Sequence, residues 1–278
     1  TLLAMSEEFL VNFTPQETRV ALMQGGIVQE LHIERTASRG LVGNVYLGRV
    51  VRVLPGMQSA FIDIGLERTA FLHVADIWEQ RQNGHGGQNG DGPKPIEKIL
   101  SEGQNLIVQV LKDPIGSKGA RLSTQISIAG RLLVYLPQDK HIGISQRIEG
   151  EAEREQLRGK LQQLVPVEEA GGFIVRTMAE KASDEELASD IAYLRKRWTE
   201  ARNAAVSARP PALLYQDLTL GQRLLRDLVT PETTRIIIDS RENFQKLAAF
   251  AEEYMPQLRH LIEHYTGERP LFDLHGVE

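Results

Sequence analysis

The feature that most constrains this chain is a series of short alternating segments between Asn44 and Ser127, bounded by glycine and proline. A period of two sends successive side chains to opposite faces of a strand. In Gln58 to Ile64 it puts Ala60, Ile62 and Ile64 on one side, with Ser59, Phe61 and Asp63 on the other. In Thr69 to Val74 it sets Phe71 and His73 against Ala70, Leu72 and Val74. From Asn44 to Gly56 the alternation loses phase around Gly48, and glycine there suits the bend or bulge that a small closed barrel needs.

Two strands that each turn an aromatic ring away from the aliphatic row would make a platform for nucleobases, each stacked base contributing about 1–3 kcal/mol. Alternation alone equally allows Phe61 and Phe71 to be core residues. Lys112, Lys118 and Arg121 fall near the last strand, where Ile115 to Gly119 reads as a turn, and they are candidates to hold phosphates or simply to face water. Charge limits this reading. With 32 Lys and Arg against 37 Asp and Glu the net charge is -5, whereas proteins that bind nucleic acid mainly through phosphates are usually basic. Binding must then be local, through stacked bases and a few neighbouring cations.

The remainder follows a different grammar. Three strands are expected at Glu8 to Phe13, Thr18 to Met23 and Ile27 to Ile33, the last two joined by Gln24-Gly25-Gly26. Arg131 to Leu136 and Phe173 to Thr177 read as strands, and Glu149 to Leu164 reads as a helix. Ser183 with Glu186 forms a capping box before a helix whose Leu187, Ile191, Leu194 and Trp198 share one face, ended by Arg209-Pro210-Pro211. Helices are expected over Asp217 to Leu228 and Ser240 to Tyr254, around an apolar strand from Arg235 to Asp239. That strand cannot form a sheet alone, so pairing with the N-terminal strands is expected, with the middle of the chain inserted between. Glu79 to Pro95 is polar and glycine-rich and reads as a flexible loop. The 278 residues suggest two or three compact units. The absence of cysteine excludes disulfides and thiolate zinc sites. No apolar run approaches the roughly 20 residues of a membrane span, and Thr1 to Glu8 lacks a signal pattern, so a cytoplasmic location is expected.

The runs Gly48-x-Val50, Phe61-x-Asp63-x-Gly65, Ala70 to His73 and Arg121-Leu122-Ser123 resemble the RNA-binding OB barrel named after a large protein of the small ribosomal subunit. Asn44-Val45-Tyr46-x-Gly48, Gly116 to Ala120, Ser145 to Gly150, Arg176-Thr177 and His264 to Gly267 narrow the resemblance to the bacterial ribonuclease E/G family. It extends over essentially the whole chain, closer in length to the ribonuclease G branch. The resemblance implies an α+β multidomain protein. An OB-fold barrel at 40–128 and a 5′-sensor domain at 129–213 would be inserted into a ribonuclease-H-like α/β domain of residues 1–39 and 214–278. It further implies an endoribonuclease of rRNA and mRNA processing and decay that cuts single-stranded RNA, favours a 5′-monophosphate, requires Mg2+ and is a homo-oligomer. The family's barrel contacts fall on Phe61, Phe71 and Lys118, with His73 on the same face. Its grip on the terminal phosphate falls on Arg176 and Thr177, its contacts to the first nucleotide on Gly130 and Val134, and a further sensor arginine on Arg147. A guanidinium fork with a neighbouring hydroxyl suits a phosphate dianion. Without the resemblance, Arg176 reads as a strand-end salt bridge, with Glu180 as partner.

No catalytic residue or metal ligand carries over. The family's Mg2+-binding carboxylates belong to a deoxyribonuclease-I-like domain that would begin where this sequence stops, and its metal-linking cysteines are absent. The chain by itself is expected to bind RNA, to hold no metal and not to cleave. An alternative is a free-standing RNA-binding module without nuclease activity. A third reading makes Asp239, with Glu242, the centre of a hydrolase. Such a site needs several converging carboxylates, so a capping or loop role is expected for Asp239. His260 and His264 are four apart on a predicted helix, but a metal site would need a third ligand.

Overall fold

The computed structural model describes residues 6–78, 94–165 and 171–277, so the expected loop from Glu79 lies, up to residue 93, outside the described residues. Two compact units emerge, one from residues 1–39 with 218–278 and one from residues 40–217.

Strands β1 (Glu7–Phe13), β2 (Glu17–Gln24) and β3 (Ile27–Arg35) form an antiparallel meander. Gly25 and Gly26 both adopt positive φ, 59° and 79°, which is what a tight hairpin of matching twist demands. The second unit opens with β4 (Val45–Leu54), β5 (Ser59–Asp63), β6 (Ala70–His73), β7 (Asn105–Lys112) and β8 (Arg121–Ser123). They run in the order β4-β5-β6-β8-β7, and β7 pairs back onto β4 to close a five-stranded barrel. All of its pairs are antiparallel except β6 with β8. The irregularity expected at Gly48 lies slightly later, between Val50 and Arg52. Gly48 serves packing instead, because a Cβ there would come 2.6 Å from Cγ2 of Ile62. Around this point β4 passes from β7, which it pairs through Arg49, to β5, which it pairs from Arg49 onward.

Next come β9 (Ile128–Ala129), β10 (Leu133–Leu136), β11 (Ile142–Ile144), helix α1 (Glu151–Leu164), β12 (Gly172–Val175) and helix α2 (Asp184–Ser207). The strands form a sheet in the order β11-β12-β10-β9. Both halves of the Ser183–Glu186 capping box are made, and Leu187, Ile191 and Leu194 are buried. Strand β13 (Ala212–Tyr215), not foreseen from the sequence, pairs antiparallel with β4 on the barrel.

The first unit resumes with α3 (Leu220–Arg223), which runs into a π-helical turn ending at Leu228. The expected helix thus starts late, because Thr219 and Gln222 form a capping box of their own. Then follow β14 (Thr233–Ile238), α4 (Arg241–Tyr254), β15 (Ile262–His264) and α5 (Leu271–Leu274). Strand β14 pairs parallel with β1, as its isolation in the sequence required, giving the order β15-β14-β1-β2-β3. Both faces of the central strands are covered, which is why β1 and β14 lose alternation. Phe9, Val11, Ile236 and Ile238 pack with Leu224 and Leu247 on one side, and Leu10 and Ile237 with Leu271 and Phe272 on the other.

One expected helix is absent. His260 belongs to a 3-10 turn (Pro256–Leu261) and His264 to β15, so the two histidines do not share a helical face. Pro256 cannot donate into the preceding turn, Met255 leaves helical geometry, and Ile262 to His264 pair with β14.

Candidate nucleic-acid interface

The barrel decides between the two readings of its phenylalanines. Ala60, Ile62, Ala70 and Leu72 are completely buried in its core, while Phe61 and Phe71 are half-buried on the opposite face. They are direct cross-strand partners, so their rings lie side by side on the outside of the barrel. His73 continues this face, its ring centroid 6.5 Å from that of Phe71. The amide of Ala75 donates to its Nδ1 at 3.1 Å, which leaves the ring proton of neutral His73 on Nε2.

Beside these rings lies a groove of about 950 Å3 lined by Phe61 and Phe71 with the cations Arg68, Lys112, Lys118 and Arg121. Among its described lining residues Glu67 and Asp113 oppose them, so this surface is locally cationic on an acidic chain. Lys118 is presented by a tight turn: Ile115 and Lys118 exchange amide–carbonyl bonds of 3.1 and 3.0 Å, and Gly116 between them has φ 56°. Arg68 donates to the Gly116 carbonyl from outside. Gly119 lets this turn lie against β6, since a Cβ there would fall 1.9 Å from the carbonyl oxygen of Thr69. Arg121 is paired in register with Phe71, and its Nε and Nη2 reach one oxygen of Asp76 at 2.9 and 2.8 Å. Asp76 is 3% exposed. A buried carboxylate thus anchors a guanidinium beside the platform, a partner that sequence reasoning missed because nothing local marks Asp76.

The second cluster arises from topology. Strand β12 runs parallel to β11 and antiparallel to β10, so the ends of β11 and β12 and the start of β10 meet at one end of the sheet. Arg176 and Thr177 follow β12, Arg147 follows β11, and Gly130 lies in the turn that opens β10. Val134 is half-buried in β10, opposite Ala129 and Ile174. Arg147 is exposed, with its amide directed to the Ser145 hydroxyl at 3.4 Å. Arg176 and Thr177 are half-buried. The Arg176 amide donates to the Leu132 carbonyl at 2.8 Å, and its Nη1 donates to the Gly130 carbonyl. The strand-end arginine therefore serves the β9–β10 turn.

That turn has a second support that sequence reasoning also overlooked. Asp190, 5% exposed, accepts the amides of Arg131 at 3.2 Å and of Leu132 and Leu133 at 2.9 Å each. Burial raises the pKa of its carboxyl above the ordinary value; the three amides and the charge of Arg176 act in the opposite direction. A signal was present: Asp190 interrupts the apolar stripe of Leu187, Ile191 and Leu194.

Among the described residues of the first unit, no group of three or more potential metal-ligating side chains assembles around Asp239. The Oδ2 of Asp239 accepts from the Asn12 amide group at 2.5 Å and its Oδ1 from the Phe13 amide at 3.0 Å, joining the ends of β14 and β1. Ser240, not Asp239, caps α4. Glu242 is fully exposed and bonded to Lys246 at 2.6 Å, which together with charge attraction holds its carboxyl below the usual range. No group of three or more His, Cys, Asp or Glu side chains that could hold a metal ion occurs among the described residues. No helix is long and apolar enough to cross a membrane among the described residues.

Comparison with known proteins places these features in a sequence context. The model of the Ribonuclease E/G family matches residues 127–278. The chain is 49% identical to Ribonuclease G of Escherichia coli strain K12 over 275 residues, covering 99% of this chain and 56% of that protein. It is 45% identical to Ribonuclease G of Haemophilus influenzae over 272 residues, 98% of this chain and 55% of that one. Identity to Ribonuclease E of Escherichia coli strain K12 is 36%, covering 98% of this chain and 26% of that protein. The chain thus spans about half the length of the ribonuclease G proteins it matches.

Proposed function

Because this chain belongs to the ribonuclease E/G family, we propose that it is the RNA-capturing and 5′-monophosphate-sensing part of a single-strand-specific endoribonuclease of rRNA and mRNA processing and decay. The observation that carries RNA capture is the Phe61–Phe71 pair, in register, outside the barrel core and bordered by four cations of the groove. A single strand can stack its bases on the rings while Lys118 and its neighbours meet the phosphates.

The second part of the proposal is that the end of the sheet formed by β10, β11 and β12 takes the RNA 5′ terminus. Arg176 and Thr177 would bind its phosphate, Gly130 and Val134 the first nucleotide, and Arg147 would add positive charge. A guanidinium already oriented by a backbone carbonyl supports this role. The mixed sheet built from both ends of the chain supports the ribonuclease-H-like reading of that unit, and the closed barrel inserted between them supports the OB reading. To the same proposal belong the whole protein's Mg2+-dependent cleavage, its homo-oligomeric state and its cytoplasmic location.

The test is affinity for one single-stranded RNA carrying either a 5′-monophosphate or a 5′-hydroxyl. Arg176→Ala is expected to weaken the first at least about tenfold, the equivalent of one charge-assisted hydrogen bond, and to leave the second unaffected. Equal loss for both would remove Arg176 from the sensor.

A further inference from the structure

A carboxylate on the buried stripe of a helix costs folding free energy unless its acceptors are filled. Asp190 fills them with three consecutive amides of one turn: Arg131 on Oδ1, Leu132 and Leu133 on Oδ2. These residues are 57 to 59 positions away in sequence, so the contacts are purely tertiary. Gly130 backs onto the same carboxylate, and a Cβ there would lie 2.5 Å from Oδ2. The glycine is therefore what permits the approach. Arg176 closes the arrangement, bonded through Nη1 to the Gly130 carbonyl and through its amide to the Leu132 carbonyl, with its charge felt by Asp190.

We propose that Asp190 is a positioning residue for the RNA 5′-phosphate, holding the Gly130–Leu133 turn and, through it and by direct attraction, the guanidinium of Arg176. The inference rests on the sensor reading of Arg176 and Thr177. An arginine in solution samples many rotamers, whereas one tied to a fixed carbonyl with a carboxylate nearby presents its fork in one direction. A terminal phosphate gains from that orientation. A 5′-hydroxyl does not, so the effect of Asp190 is read in the ratio of the two affinities.

Asp190→Asn keeps the shape of the side chain, but its single acceptor oxygen cannot serve all three amides, and its NH2 faces donors. Fluorescence anisotropy with 5′-monophosphorylated and 5′-hydroxyl forms of one single-stranded RNA compares it with the unsubstituted chain. The expected result is a preference for monophosphate in the unsubstituted chain, reduced about tenfold or more in Asp190→Asn, as misplacement of a binding group on the order of 1 Å would produce. A purely structural role would lower the melting temperature and leave the ratio intact, and that outcome overturns the proposal. Absence of any preference in the unsubstituted chain refutes the sensor reading itself, and the inference with it. Should Asp190→Asn fail to fold, Gly130→Ala displaces the carboxylate without removing its charge, and an unchanged ratio in that variant is equally decisive against the role.

Discussion

Replacing Phe61 and Phe71 by alanine, singly and together, separates binding from packing because the structure assigns the rings to the outside of the barrel. A core phenylalanine truncated to alanine costs about 3–5 kcal/mol. In a unit of this size, each kcal/mol lowers the melting temperature by about 2–4 °C, so a core role predicts a fall on the order of 6–20 °C. The rings are instead half-buried and lie across the strand from the buried set Ala60, Ile62, Ala70 and Leu72. Each substitution should therefore cost about 1 kcal/mol or less, a fraction of full burial, and shift the melting temperature by no more than about 4 °C. On the binding side, a lost stacking contact of about 1–3 kcal/mol weakens single-stranded RNA binding by about 5- to 150-fold. Because the two rings are direct neighbours, the double variant should fall short of the sum of the singles. Anisotropy titrations at fixed salt, paired with thermal melts, give both numbers. Unchanged RNA affinity together with a fall in melting temperature beyond about 6 °C would return the rings to the core and refute the platform.

Two further expectations follow from close contacts and burial. Gly119→Ala would place a methyl carbon 1.9 Å from a backbone carbonyl oxygen, which cannot rotate away. Its denaturation midpoint should fall by the equivalent of about 1–3 kcal/mol or more, and a midpoint like that of the unsubstituted chain would show that the turn does not need the close approach. Asp190 should titrate above the ordinary aspartate value of 3.8 in the folded chain, because burial outweighs its three amides and Arg176. The sign is opposite to that of a typical paired carboxylate: its ionised form lowers stability above the folded pKa, and this cost disappears as pH falls through it toward the unfolded value. Carbon-13 NMR of the Asp190 carboxyl measures the midpoint, and a value below 3.8 would mean that the hydrogen bonds and Arg176 dominate.

Local periodicity made a large part of the molecule legible. The alternation in β5 and β6 specified which side chains share a face, whatever the strands packed against. Gly25-Gly26 announced a hairpin, and Ser183 with Glu186 announced the start of α2, since both signals act over a few residues of backbone. The same logic misplaced His264, because apparent helical spacing does not register a proline stop followed by a strand captured by β14. It also placed the irregularity of β4 at Gly48, where the structure uses glycine for contact with Ile62.

Motif resemblance supplied candidates for the phosphate site without explaining why they should work together. Arg176 had an ordinary alternative in Glu180, and the structure ties it to the Gly130 carbonyl. Asp76 and Asp190, the two carboxylates that support the candidate RNA surfaces, carry no local signature strong enough to single them out, although Asp190 stands on an apolar stripe.

The sequence by itself determined which side chains of the barrel strands share a face, with Phe61 and Phe71 opposite the aliphatic row, and the hairpin and helix starts, because these depend on backbone period and neighbouring residues. Which of the two faces is the core was decided by closure of the barrel. Only the tertiary structure decided that β7 closes on β4, that β1 is the N-terminal strand β14 joins and that it does so in parallel, and that Gly130, Arg147, Arg176 and Thr177 come to one end of a sheet. Those outcomes depend on which strand edges meet and in which direction. Edge pairing is selected by the burial of the whole unit, and no local window of sequence contains it.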